Sequence, residues 1–192
     1  MRPEPTILAF DTSAAHCAAA LLCGDRIISR VDVMSKGQAE HLMPMLADLL
    51  SGEDLRWQDL DGMGVGVGPG NFTGIRIAVS AARGLGLGLG KPAIGVNGFE
   101  ARALGQTLPV MTEIPAARGQ AYFQVFSEDG RIGTPYQDEA TGGAQPSPSF
   151  MVENIARIAA SRLGTPQPRP TPLYVRSADA APPRDAAPLL LP

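Results

Sequence analysis

The sequence predicts an α/β protein of two lobes, a mixed sheet flanked by helices. Three observations predict it. Three strands come first in a row: "TILAFDTS" (6–13), "HCAAALLC" (16–23) and "RIISRVDV" (26–33). Helix-spaced segments then alternate with short apolar ones around a Gly-rich stretch, "GVGPGNFTGIRI" (66–77). A further set of strands and helices begins near Asn97, which divides the chain into 1–97 and 98–192.

Gly24-Asp25 is a two-residue hairpin signal and makes the third strand antiparallel to the second. A helix directly after the first strand, as a dinucleotide-binding fold would have, is missing. Leu42, Met45, Leu46 and Leu49 have helical spacing in "QAEHLMPMLADLL" (38–50), where Pro44 must sit in the first turn or kink the helix. "DGMGVGVGPG" (61–70) is a small-residue strand that runs into the loop. "TGIRIAVSAARGLGLGLG" (73–90) is a helix with one narrow polar stripe, Arg76, Ser80 and Arg83, and apolar residues on more than one face. Such a helix is buried on more than one side. "KPAIGV" (91–96) closes with a short strand.

Beyond it, a helix at 98–106 leads to two strands within 108–130 joined at "AARGQ". Residues 133–149 are loop-like. "FMVENIARIAASRLG" (150–164) is amphipathic, with Val152, Ile155, Ala159 and Leu163 inward and Gly164 at its end. The Pro-rich remainder is irregular apart from an apolar touch at "LYVR".

The chain has 192 residues, enough for a real core, with 44% hydrophobic and 18% charged residues. Net charge is −3, so direct gripping of nucleic acid is disfavoured. No apolar run approaches the ~20 residues that span a bilayer. The start lacks a signal-peptide layout, which predicts a cytoplasmic protein. Cys17 and Cys23, if on one strand, stand roughly 20 Å apart, too far for a disulfide.

Meander, helix, strand, Gly loop, helix and strand together fit one half of an actin- or sugar-kinase-like fold. "FDTS" then occupies the place where the first hairpin meets phosphate. The Gly-rich stretch has two readings. It could cradle an anion at a helix N-terminus, or it could be a tight strand-to-helix connection.

"ILAFDTS", "AEHLMPML", "GVGPGNFTGIRIAVSAARGLGLG", "IPAARGQAYF" and "PLYVR" together resemble the TsaB (YeaZ-like) family of glycoprotease-like proteins. The resemblance implies an actin-like ATPase, ribonuclease H-like (ASKHA) fold, with the second lobe abbreviated, since the Gly/Pro-rich 133–149 stands where the family has further strand and helix. It also implies a non-catalytic subunit of the machinery that makes N6-threonylcarbamoyladenosine (t6A) in tRNA. Such a subunit binds and activates a TsaD-like transferase together with a TsaE-like ATPase. It meets tRNA only indirectly and pairs with itself when alone. No cofactor of its own is implied beyond a weak ATP or ADP contact at the complex interface.

The docking surface so implied takes His41, Leu42, Met45, Leu46 and Leu49 from one helix. From the other it takes Arg76, Ile77, Ala78, Ala82, Arg83 and Gly86, the small residues allowing close approach. A vestigial nucleotide contact would use Asp11, Thr12, Ser13, Gly68, Gly70, Thr73, Gly74 and Arg76. Asp11 could instead cap its strand end by accepting backbone N–H groups. TsaD-like proteins hold a metal with His-x-x-x-His. Here His41 has Gly37 and Met45 four residues away, so no metal site is expected. No catalytic residue is expected either, and His16 is read as pointing out of its strand. Two other classes compete. An actin-like kinase or ATPase would need a second phosphate loop and a catalytic Asp within 108–192, and neither is recognisable. A metallopeptidase would need metal ligands that the chain lacks.

Overall fold

The computed structural model describes residues 4–175, so the Pro-rich end from 176 onward, including Arg176 of "LYVR", lies outside the described residues. Strands β1 (Thr6–Asp11), β2 (His16–Cys23) and β3 (Arg26–Val33) form an antiparallel meander, with Gly24 at φ +60° in the turn between the last two. After α1 (Gln38–Ser51), β4 (Gly62–Gly66) returns parallel to β1. After α2 (Phe72–Leu89), β5 (Ala93–Val96) adds parallel to β4. The sheet order is β3-β2-β1-β4-β5, the actin-like, ribonuclease H-like arrangement. A short helix α3 (Gly98–Ala103) leads to a second, antiparallel sheet of β6 (Val110–Pro115), β7 (Gln120–Phe126) and β8 (Tyr136–Glu139). The chain then forms α4 (Pro148–Ser161).

Side chains alternate across a strand, so each strand of the first sheet serves two cores. Leu8, Phe10, Leu21, Met63 and Val65 face α1 and α2. Ile7, Ala9, Ala18, Ala20 and Ile94 face α4, where Val152, Ile155, Ala156 and Ala159 cover them. A sheet covered on both faces needs near-continuous apolar strands, which is how β1 and β2 read. In β4 the α4 side carries only glycine. A Cβ on Gly64 would stand 3.0 Å from the Ala159 Cβ and 3.1 Å from the Ile155 carbonyl oxygen.

Several elements differ from expectation. α4 packs on the first sheet, although the division at residue 97 assigns it to the second lobe. It starts at Pro148 behind a Ser147 cap whose side chain accepts from the Phe150 N–H, and it ends at Ser161, not at Gly164. β8 lies inside the segment read as loop; it is four residues long and polar except for Tyr136. Pro44 sits in the second turn of α1, not the first. Its ring removes the N–H that would bond the Glu40 carbonyl, and Glu40 is exposed, so water can replace it. Cys17 and Cys23 are both free thiols on β2, and burial together with Asp32 and Asp11 pushes the Cys17 thiol up to about 11.

Candidate functional site

α1 and α2 lie side by side on one face of the first sheet. Their inward stripes fill the core, and their outward edges leave an apolar groove. It consists of two adjoining hollows of about 530 and 480 Å³. Met43 and Ala81 border both; Trp57, Leu85 and Leu89 line one, and Ala39, Phe72, Arg76 and Ile77 line the other. Met43 and Phe72 are 38% and 39% exposed.

The expected docking residues divide. Leu42, Met45 and Leu46 are at most 1% exposed, Leu49 is 8%, and Ala78 and Ala82 are 0%. Met45, Leu46, Leu49, Ala78 and Ala82 form the core beneath the groove, and Leu42 forms part of its floor. Gly86 faces the sheet as well, since a Cβ there would stand 3.1 Å from the Lys91 carbonyl oxygen. The small-residue stripe thus brings α2 close to β4 and β5. His41 and Ile77 are half-buried, and Arg76 and Arg83 are exposed. The Arg83 Nε donates to the Pro170 carbonyl at 2.7 Å. Met43, Ala81 and Leu85 were missed as groove residues. Their signal was an apolar residue one step off the core stripe on each helix.

The Gly-rich loop is a tight connection laid backbone to backbone on residues 12 and 13. The Asn71 N–H donates to the Ser13 carbonyl at 2.6 Å, and the Thr12 hydroxyl donates to the Gly74 carbonyl at 2.6 Å. Asn71 caps α2 by accepting the Gly74 N–H at 2.8 Å. A Cβ on Gly70 would overlap the Ser13 carbonyl oxygen, and one on Gly74 would overlap that of Thr12. Gly68 has φ +93°, which favours glycine.

The eight residues expected at a nucleotide contact therefore separate three ways. Thr12 and Gly74 are sealed against each other. Thr73 and Arg76 face the helix groove. There the Arg76 guanidinium lies 3.7 Å over the Phe72 ring and donates to the Tyr174 hydroxyl at 3.1 Å. Asp11, Ser13, Gly68 and Gly70 line a separate cavity of about 270 Å³ where the ends of β1 and β4 meet α3, β6 and α4.

Asp11 organises one wall of that cavity. Its Oδ2 accepts the Ser13 N–H at 3.2 Å and the Ser13 hydroxyl at 2.9 Å, and it lies 3.1 Å from the His16 Nε2. His16 is thus turned in, with a side chain 13% exposed, rather than pointing out of its strand. The serine hydroxyl bonds the carboxylate and not the imidazole, so the group lacks the order of a histidine-activated nucleophile. On the far wall stands Arg102, whose guanidinium burial pushes down to about 10. Nothing in the residue spacing marked it.

His41 is likewise engaged within the fold. Its Nε2 lies 2.7 Å from the Asp32 Oδ2, which the Arg30 guanidinium also reaches at 2.9 Å. The hydrogen bond from His41, with help from Arg30 and against the desolvation of the carboxyl, holds Asp32 below the usual carboxylate range. Among the described residues no three His, Cys, Asp or Glu side chains stand in a ligating array. The donor set at His41 does not fit a metal.

The family model for TsaD, tRNA N6-adenosine threonylcarbamoyltransferase, matches residues 30–160. The chain belongs to this family. The match spans α1, the Gly-rich loop, α2 and most of α4. YeaZ from Pseudomonas aeruginosa superposes with a TM-score of 0.70 at 24% identity, covering 88% of this chain and 99% of its own. A second Pseudomonas aeruginosa structure, described as similar to peptidase YeaZ, gives 0.70 and 24% over 90% of this chain and 100% of that one. The fold of this TsaD-family member is therefore that of YeaZ across nearly its whole length. No curated protein matches the sequence. Among the described residues no helix is long and apolar enough to cross a membrane.

Proposed function

We propose that the chain is a non-catalytic subunit of the t6A machinery, docking a TsaD-like transferase through the α1/α2 groove and supporting its activity with a TsaE-like ATPase. The observation that carries the reading is the groove itself. Met43, Trp57, Ala81 and Leu85 leave apolar surface open between two helices that the core already holds rigid. A contiguous apolar surface of this kind marks a protein partner. Family membership supplies the chemistry of that partner. The absence of a second histidine beside His41 and the structural use of Asp11 and His16 support an accessory role. Alone, the same surface pairs two copies of the chain, since a two-fold interface is self-complementary. The chain acts in the cytoplasm and meets tRNA through its partner, in keeping with its net charge of −3.

Size-exclusion chromatography with light scattering tests the reading, using the full chain and the TsaD-like transferase of the same organism. A one-to-one complex is expected, and Met43→Glu or Ala81→Arg should weaken it tenfold or more with unchanged circular dichroism. Complex formation untouched by both substitutions would sink the groove assignment. ATP turnover by the isolated chain would point to the kinase class instead.

A further inference from the structure

We propose that Leu189, Leu190 and Leu191, in the segment beyond Val175, fold back onto the α1/α2 groove and compete there with the protein partner. The contact is read from where the described chain runs and from the residues that follow it; the competition rests on the docking reading of the groove.

The last described residues are fastened along the edge of that groove. The Arg83 Nε donates to the Pro170 carbonyl, and the Leu173 N–H donates to the Val67 carbonyl, both at 2.7 Å. The Tyr174 ring then stacks on Phe72 with centroids 5.1 Å apart, and its hydroxyl accepts from the Arg76 Nε at 3.1 Å. Phe72 and Arg76 line the nearer hollow of the groove. Tyr174 therefore lies on the groove's rim, one residue before the end of the described chain.

The sequence that follows is uneven. Residues 176–188 hold only Arg, Ser, Asp, Ala and Pro, and then three leucines come without a break. Arg176 and Arg184 balance Asp179 and Asp185, so the segment offers apolar contact rather than charge. Adjacent leucines are driven into an apolar hollow. The farther hollow of the groove supplies one, lined by Met43, Trp57, Leu85 and Leu89. From Phe72 to Leu85 along α2 is about 20 Å at ~1.5 Å per residue. A flexible chain as long as 176–188 spans about 20 Å on average and about 40 Å when extended. A tether whose average length matches the gap gives the highest local concentration, on the order of mM. A groove covered about two-thirds of the time binds its partner about threefold more weakly.

Trp57 is the one tryptophan of the chain and lines the farther hollow, so its fluorescence reads the contact without any partner. The full chain is compared with the triple variant Leu189→Ser, Leu190→Ser and Leu191→Ser, circular dichroism showing that the fold is the same. The variant should shift Trp57 emission to longer wavelength and raise its quenching by acrylamide. It should also bind the TsaD-like transferase about threefold or more tightly in calorimetry. Identical emission and quenching in the two proteins would overturn the proposal. So would a difference that disappears on dilution, since the leucines would then sit on a second copy. A Trp57 difference with equal transferase affinity would overturn the competition. A Trp57 difference with no transferase binding by either protein would support the contact and sink the docking reading instead.

Discussion

The close approach of α2 to the β1 end can be tested with one substitution made twice in the same helix. A Cβ on Gly74 would overlap the Thr12 carbonyl oxygen, which belongs to rigid backbone. The start of α2 must draw back by roughly 1 Å to restore van der Waals separation. That movement strains two bonds, the Thr12 hydroxyl to the Gly74 carbonyl and the Asn71 N–H to the Ser13 carbonyl, both 2.6 Å. Each is worth about 1 kcal/mol net, and overpacking adds about 1–3 kcal/mol. Alanine returns up to about 1 kcal/mol over glycine in helix propensity, less in a first turn. The expected net loss for Gly74→Ala is about 3 kcal/mol. At Gly84 the same Cβ meets nothing within 4 Å, so Gly84→Ala should gain about 0.5–1 kcal/mol. Urea unfolding followed by circular dichroism reads both. With a slope near 2 kcal/mol/M, Gly74→Ala lowers the midpoint by about 1.5 M and Gly84→Ala raises it slightly. Equal shifts of the same sign would refute the backbone-contact account of the Gly-rich loop.

Asp32 titrates below the usual carboxylate range because His41 and Arg30 bond it, so it adds stability above about pH 4 that is lost as pH falls through its folded value. Asp32→Asn should therefore lower the urea midpoint at pH 7 by the equivalent of less than about 1 kcal/mol, given the exposure of the pair, and the gap to the native protein should narrow as the pH is taken down below about 4. A gap that stays constant throughout acid titration would count against the pairing. Buried Asn154 donates from Nδ2 to the Ala101 carbonyl at 2.8 Å and ties α4 to α3. Asn154→Ala should cost about 1–3 kcal/mol and lower the thermal midpoint by several degrees, and an unchanged midpoint would mean that the carbonyl finds another partner.

The first sheet was legible because β1 and β2 are almost wholly apolar and the turn between β2 and β3 carries Gly24-Asp25. β8 was not, since an edge strand of four residues in a polar segment has no alternation to read. The return of α4 was hidden for another reason. Its apolar stripe states that it packs, not on which sheet, and the glycines of β4 that admit it look the same as loop glycines in sequence. The docking face was half legible. Helical spacing correctly picked Leu42, Met45 and Leu46 as one stripe, but a stripe that reads as an interface also reads as core, and burial at or below 1% shows the core. Arg102 escaped notice entirely, because a lone arginine in "ARALG" carries no pattern; only the fold places it on the cavity that Asp11 also lines.

Most of the residues that carry chemistry in this chain are consumed by the fold. His16 and Ser13 satisfy Asp11, His41 satisfies Asp32, Thr12 holds the Gly74 carbonyl, and Arg162 pairs with Glu100 at 2.5 Å. Each of these two histidines has its Nε2 on a carboxylate, which fixes the orientation of the ring. In the α1/α2 groove, by contrast, apolar side chains remain uncovered by the described residues although the helices beneath them are packed. A protein partner would cover such area, so substitution at Met43 or Ala81 tests the docking proposal without touching the core.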